Sequence, residues 1–183
     1  QQYMAALLTS VLESSTKVAE YIAECRELGI KLLPPDVNES DANFTVAGEN
    51  IRFGLVAIKG IGWGAIEELV AERHENGLFT SFEDFCKRMS GKELNRRAVE
   101  NLIRAGAFDG MGYKRKALLQ IEGAVIDSIS QAARDNIAGQ YDLFGDFEAQ
   151  SEASPQTIPI PDVEEFSARD KMMMEKEVTG LYL

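Results

Sequence analysis

The chain has 183 residues, 45% hydrophobic and 27% charged, with a net charge of -11: enough for a buried core, short for a multidomain enzyme, and on average a poor match for nucleic acid. No run approaches the roughly 18 apolar residues of a membrane span, and the opening QQYMAALLTSVLESS lacks a basic start and a cleavage site, so a soluble cytosolic protein is expected. Cys25 and Cys86 form no CxxC and His74 is the only histidine, which argues against a zinc site or Cys/His catalysis.

Val18, Tyr21, Ile22, Cys25 and Leu28 recur at helical spacing, and Gly29 supplies a stop. Leu32-Leu33-Pro34-Pro35-Asp36 cannot continue that helix, because the prolines lack amide donors and push their neighbours toward extended backbone. A corner or module boundary belongs here. Phe44-Thr45-Val46 and Ile51-Arg52-Phe53 flank a Gly/Asn turn and read as a small hairpin that must lean on a helical body.

From residue 55 the pattern is helical in short pieces. Leu55-Val56-Ala57-Ile58 runs into Lys59-Gly60-Ile61-Gly62, followed by Trp63-Gly64 and a helix with Ala65, Ile66, Leu69 and Val70 on one face. This is the apolar-x-Gly-apolar-Gly turn of a helix-hairpin-helix. Glycine permits positive φ and leaves room for amides at the next helix start to approach a phosphate, aided by the helix dipole. Lys59, Gly60, Ile61, Gly62 and Gly64 are therefore candidate phosphate contacts. The alternative is a tight interhelical turn that uses glycine only for sterics. Trp63 could stack on a base but is expected to brace the turn.

Thr80 or Ser81 is placed to cap the next helix, with Glu83 or Asp84 three residues on. Near 93–105, Leu94, Ala98, Val99, Leu102 and Ile103 share one face while Arg97 and Arg104 point elsewhere. Residues 87–116 hold nine cations against Glu93, Glu100 and Asp109, a local +6 inside an acidic chain. Arg96, Arg97, Lys114 and Arg115 are candidate DNA contacts from this stretch; its alternative reading is a solvated face. Gly60 and Gly106 lie 46 residues apart and each ends an apolar run, so two related helical hairpins are expected, the second lacking the second glycine.

After a helix near 114–137, Gln140-Tyr141-Asp142-Leu143-Phe144 fits Q-x-x-L-F, a peptide type that docks on sliding clamps. Leu143 and Phe144 would supply apolar area and Gln140 would fix register; Asp142 is carried with them. The alternative is that Leu143 and Phe144 cap the preceding helix as core. Residues 145–165 read as a mobile acidic connector, and Glu175 to Leu183 stops in mid-element, which suggests a fragment. No Asp-x-Asp, Walker-type or Ser/His/Asp set is present, so chemistry is not expected here.

With these features in order, the chain resembles the alpha subunits of bacterial DNA polymerase III, the replicative C-family polymerases of DnaE type. Tyr3 to Ser10 and Leu33 to Ser40 resemble the end of the family's fingers. Phe53 to Gly62 and Leu102 to Asp109 resemble its paired helix-hairpin-helix domain, Gln140 to Phe144 its internal clamp peptide, and Glu175 to Leu183 the approach to an oligonucleotide-binding module. The resemblance implies a mainly α fold: the end of the fingers over 1–33, a Pro-rich corner and β-hairpin over 34–54, and a tandem helix-hairpin-helix DNA-binding domain over 55–137. It continues with a clamp-binding peptide over 138–146 and a flexible acidic connector over 147–183. It further implies a cytoplasmic bacterial DNA-directed DNA polymerase as the parent, using Mg2+ through aspartates outside this piece, which itself needs no cofactor. The implied partners are duplex DNA, the sliding clamp (beta subunit) and other replicase subunits, with no membrane. The competing readings are a stand-alone helix-hairpin-helix DNA repair protein and a purely structural helical module.

Overall fold

Apolar residues at helical spacing produce a first packed pair, α1 (Gln2–Ser10) and α2 (Ser15–Glu27). Met4, Ala5 and Leu8 pack with Val18, Ile22 and Cys25. The Ser14 side chain accepts from the Lys17 amide to cap α2. At the other end Gly29 turns left-handed (φ +72°), with Ile30 N–H bonded to Cys25 O and Gly29 N–H to Arg26 O, a Schellman closure. Leu28, expected on the apolar stripe, is 61% exposed because it falls on the cap residue after the helical face has ended. The computed structural model describes residues 1–12, 14–141 and 158–181, and the side chains of Ser15 and of residues 135–141 lie outside the description.

The expected hairpin is present as β2 (Thr45–Ala47) and β3 (Asn50–Arg52), with Val46 opposite Ile51 and Gly48 at φ +62° in the turn. A third strand was not legible in the sequence: β1 (Leu32–Leu33) runs parallel to β3, giving the order β1-β3-β2. The cause is the pair of prolines, which holds the residues before them extended and stops the strand after two residues.

The segment after those prolines is a staple at the centre of the fold. Asp36 accepts from the Asn38 amide at 2.7 Å, and Ser40 Oγ accepts from the Asp36 amide. Val37 is fully buried and its amide donates to Ala107 O at 2.9 Å. Asn38 exchanges two hydrogen bonds with the Phe79 backbone, while buried Arg73 donates to Val37 O, Ser40 O and Asp41. The buried carbonyls of Val37 and Ser40 thus gain a charged donor, as burial demands.

The helical body follows: a 3-10 turn at Leu55–Ala57, α3 (Trp63–Asn76), α4 (Phe82–Arg88), α5 (Arg96–Arg104), a 3-10 turn at Asp109–Met111, α6 (Arg115–Tyr141) and α7 (Ala168–Thr179). Ser81 caps α4 by accepting from the Asp84 amide at 3.0 Å, and Asp84 answers by accepting from the Thr80 amide, close to the expected capping box. Phe79, Phe82, Phe85 and Phe108 meet edge to face at centroid distances of 5.0–5.1 Å and form the aromatic centre. The architecture is mainly α with a small sheet and tandem hairpins, as the sequence implied. Two boundaries differ. α6 continues through Gln140 and Tyr141 instead of ending near 137. Residues 168–181, assigned to the connector, fold as α7 and its cap, with Val178 and Leu181 buried against the core. Charged residues, which make up half of this helix, masked its few apolar docking positions.

Candidate nucleic-acid interface

Gly60 (φ +76°) and Gly106 (φ +83°) occupy the same left-handed region 46 residues apart, so the two bends are built alike. Their surroundings are not alike. At the first bend Lys59, Gly60, Gly62 and Trp63 are exposed, while Ile61 is the buried plug that pins the loop. Gly62 is the N-cap of α3 and offers no side chain, and among the described residues no side chain accepts from the amides of Trp63, Gly64 or Ala65. A helix start of this kind holds outward-facing donors and the positive end of the dipole. Trp63, expected to brace the turn, is instead 48% exposed beside these amides.

Glycine is required at Gly60 twice over, by its positive φ and because a β-carbon would crowd the Asn101 side chain, whose Nδ2 donates to Lys59 O at 2.7 Å. At Gly64 a β-carbon would meet the Glu93 carboxylate, which lies against the start of α3 and opposes any incoming anion. Gly62 has ordinary φ (-71°) and open space around it, so its role is exposure alone.

The second bend is sealed. Gly106, Ala107 and Phe108 are buried, and a β-carbon at Gly106 would strike the Arg115 guanidinium. The start of α6 is also taken: Glu165 accepts from the amides of Arg115 (2.8 Å) and Lys116 (3.2 Å), and Lys114 pairs with Asp162 at 2.8 Å. Burial alone would raise the Glu165 carboxyl, but the amides of Phe166, Arg115 and Lys116 hold it below its ordinary value.

The basic stretch 87–116 is largely neutralised by acids from elsewhere in the chain. Arg88 and Lys92 both pair with Glu72, Arg96 with Glu122 (3.2 Å), and Arg104 with Glu100 (3.0 Å) and Glu177 (2.9 Å). Arg115, a candidate DNA contact in the sequence, is corrected: it is 5% exposed and bonded to Asp109, Glu175 and Arg104 O, a core position that phosphate cannot reach. Burial works against its charge, yet Asp109 and Glu175 still raise its pKa. Lys59 also has internal work, since its amide donates to Val178 O (2.7 Å) and its ammonium to Glu177 O (3.1 Å). Arg96 remains largely exposed over Gly123, and Arg97 is exposed with no ion pair among the described residues. The local +6 could be read from the sequence; its cancellation required partners up to 73 residues away.

Of the clamp-type peptide, Gln140 lies in the last turn of α6, and Asp142, Leu143 and Phe144 lie outside the described residues, as does the connector from 147 to 157. Among the described residues no three His, Cys, Asp or Glu side chains gather as a metal site would need. No helix among them is long and apolar enough to cross a membrane.

Comparison with known proteins sharpens this geometry. Residues 29–118, which contain both bends and the Pro-rich staple, match the helix-hairpin-helix motif family. The whole chain is 41% identical to a protein named DNA polymerase III subunit alpha from Mycobacterium tuberculosis strain H37Rv, covering 16% of that relative. The proteins of that name from Deinococcus radiodurans and Borreliella burgdorferi are 40% and 33% identical, again over all of this chain, which covers 14% and 16% of their lengths.

Proposed function

The chain belongs to the DNA polymerase III alpha subunit family, and on that premise we propose that it is the non-catalytic part of a replicative polymerase that holds duplex DNA and tethers the enzyme to its sliding clamp. The parent is a DNA-directed DNA polymerase of the bacterial cytoplasm, and its Mg2+-dependent chemistry belongs to the remaining length of the subunit. The observation that carries the DNA-binding reading is the first bend, where Gly60, Gly62 and Trp63 are exposed and Gly62 leaves the start of α3 without a side-chain cap. Amides at such a helix start grip a phosphate without reading sequence. Arg97 is the most available of the candidate side chains, since Arg96 is paired with Glu122, Lys59 bonded to Glu177 O and Lys114 held by Asp162.

The test is Gly62→Asp. Backbone angles and space at Gly62 accept any residue, and Asp is a good N-cap, so the fold keeps its stability. Its carboxylate would occupy the amides and repel phosphate. Duplex affinity, measured by fluorescence anisotropy across a salt series, should fall about tenfold, the scale of roughly one lost charge-assisted contact. Unchanged affinity would instead favour the structural-module reading, which the internal pairing of the basic stretch also supports.

The clamp reading rests on the Q-x-x-L-F pattern and on family membership. Leu143→Ala with Phe144→Ala should abolish binding to the beta subunit at concentrations where the parent chain binds, since two anchor side chains are lost. A tether of this kind raises effective concentration near the primer end and needs little intrinsic affinity. Undiminished binding would remove the assignment.

A further inference from the structure

Resting on the DNA-binding reading, we infer that Asn101 and Lys59 are positioning residues of the first bend, which hold its backbone ready for a phosphate without touching one. Three bonds converge on Lys59 from inside the chain. Its amide donates to Val178 O at 2.7 Å, its ammonium donates to Glu177 O at 3.1 Å, and its carbonyl accepts from Asn101 Nδ2 at 2.7 Å. Glu177 and Val178 stand in the last turn of α7, whose carbonyls have no partner within the helix itself. Lys59 therefore caps α7 from outside, with its ammonium at the negative end of the helix dipole. A cation settled there already has its acceptor, and the bend gains an anchor in exchange.

Glycine makes that anchor necessary. Gly60, at φ +76°, has more backbone freedom than any residue with a side chain, and ordering such a loop at the moment of binding would cost affinity. Both neighbours of Gly60 are instead fixed beforehand, Lys59 by its three bonds and Ile61 by burial. Asn101 reaches the bend from the middle of α5, and a β-carbon on Gly60 would come within 2.8 Å of its Nδ2. The close approach of α5 thus needs glycine on one side and a short amide on the other. Hung between α5 and the end of α7, the bend keeps its grip on a phosphate only while both hold it.

The experiment measures duplex affinity across a salt series for the 183-residue chain and for Asn101→Ala, Lys59→Met and Lys59→Gln, each checked for folding by circular dichroism. Asn101→Ala removes the donor at a position where alanine favours the helix. It should weaken binding about fivefold, the scale of roughly one lost hydrogen bond, and leave the log-log salt slope where it was. Lys59→Met removes donor and charge together, while Lys59→Gln removes the charge and keeps an amide that can donate to Glu177 O. Methionine should weaken binding about threefold, glutamine by less than methionine, and neither should alter the slope. A Lys59 bound to phosphate behaves otherwise: both variants would lose affinity alike and flatten the slope by about 0.9, and that result would overturn its positioning role. Parent-like binding by Asn101→Ala would overturn the role of Asn101. Either result leaves DNA binding by the parent chain standing, whereas absence of binding by the parent chain at low salt would overturn both readings. Should Asn101→Ala fold poorly, Asn101→Leu keeps the shape without the donor and should show the same fivefold loss, about one hydrogen bond, and parent-like binding by it would count against the proposal.

Discussion

Glu72 gathers three donors between α3 and the stretch that follows it. Lys92, Arg88 and Asn76 all donate to it, and these bonds, Lys92 first, hold its carboxyl at about 2 against an ordinary 4.5. Its folded pKa is depressed, so its contribution is complete above about pH 4.5 and is lost as pH falls toward about 2. Melting temperature measured over that window should fall less steeply for Glu72→Gln than for the parent chain. Because Arg88 also stacks on Phe79 at 4.4 Å and donates to Leu78 O and Gly77 O, the variant keeps the α3–α4 corner and loses only the charge. Glu122 is the opposite case: burial raises its carboxyl, Arg96 opposes, and Oε2 has no partner among the described residues. Cys86, pushed up to about 12 chiefly by burial, is a packing thiol.

At the scale of elements, the two hairpins divide the labour of packing and exposure. The second contributes Phe108, fully enclosed between Phe82 and Phe85, to the aromatic centre. Phe108→Ala should cost about 3–5 kcal/mol in denaturant unfolding, the range for a buried aromatic truncated to alanine. The sequence disclosed what is local: α2 with its glycine stop, the β2–β3 turn, the Ser81 cap, and the glycine repeat itself. It did not disclose β1, because a two-residue parallel strand is defined by a partner 19 residues away. Nor did it disclose α7, whose Met172 and Met173 are exposed while the residues that dock are Glu175, Val178 and Thr179. The candidate site was legible as a glycine bend with cations nearby. Which bend stays open was not, since that depends on the burial of Gly106, Ala107 and Phe108 in the assembled core.

Across the whole molecule, α7 clamps the two hairpins together. Its Glu175 reaches Arg115 of the second at 2.8 Å, Glu177 reaches Arg104, and the carbonyls of Glu177 and Val178 receive Lys59 of the first. The net charge of -11 thus conceals a set of long-range pairs between the basic middle of the chain and acids near its C-terminus. Glu175→Gln should destabilise the fold by about 1.5–3 kcal/mol in chemical unfolding, the scale of one hydrogen bond to a charged group, since Arg115 keeps Asp109. A loss no larger than that of an exposed acid, below about 0.5 kcal/mol, would show that α7 rests on the body without bracing it.

The half-exposed indole at the first bend has an optical consequence. Trp63 is the sole tryptophan in the chain, so ultraviolet emission excited selectively at its absorption edge originates from one spot, beside the uncapped start of α3. Anything that crowds this spot registers as a change in colour or brightness without a dye being attached, while events that leave the indole's surroundings alone leave the signal unchanged.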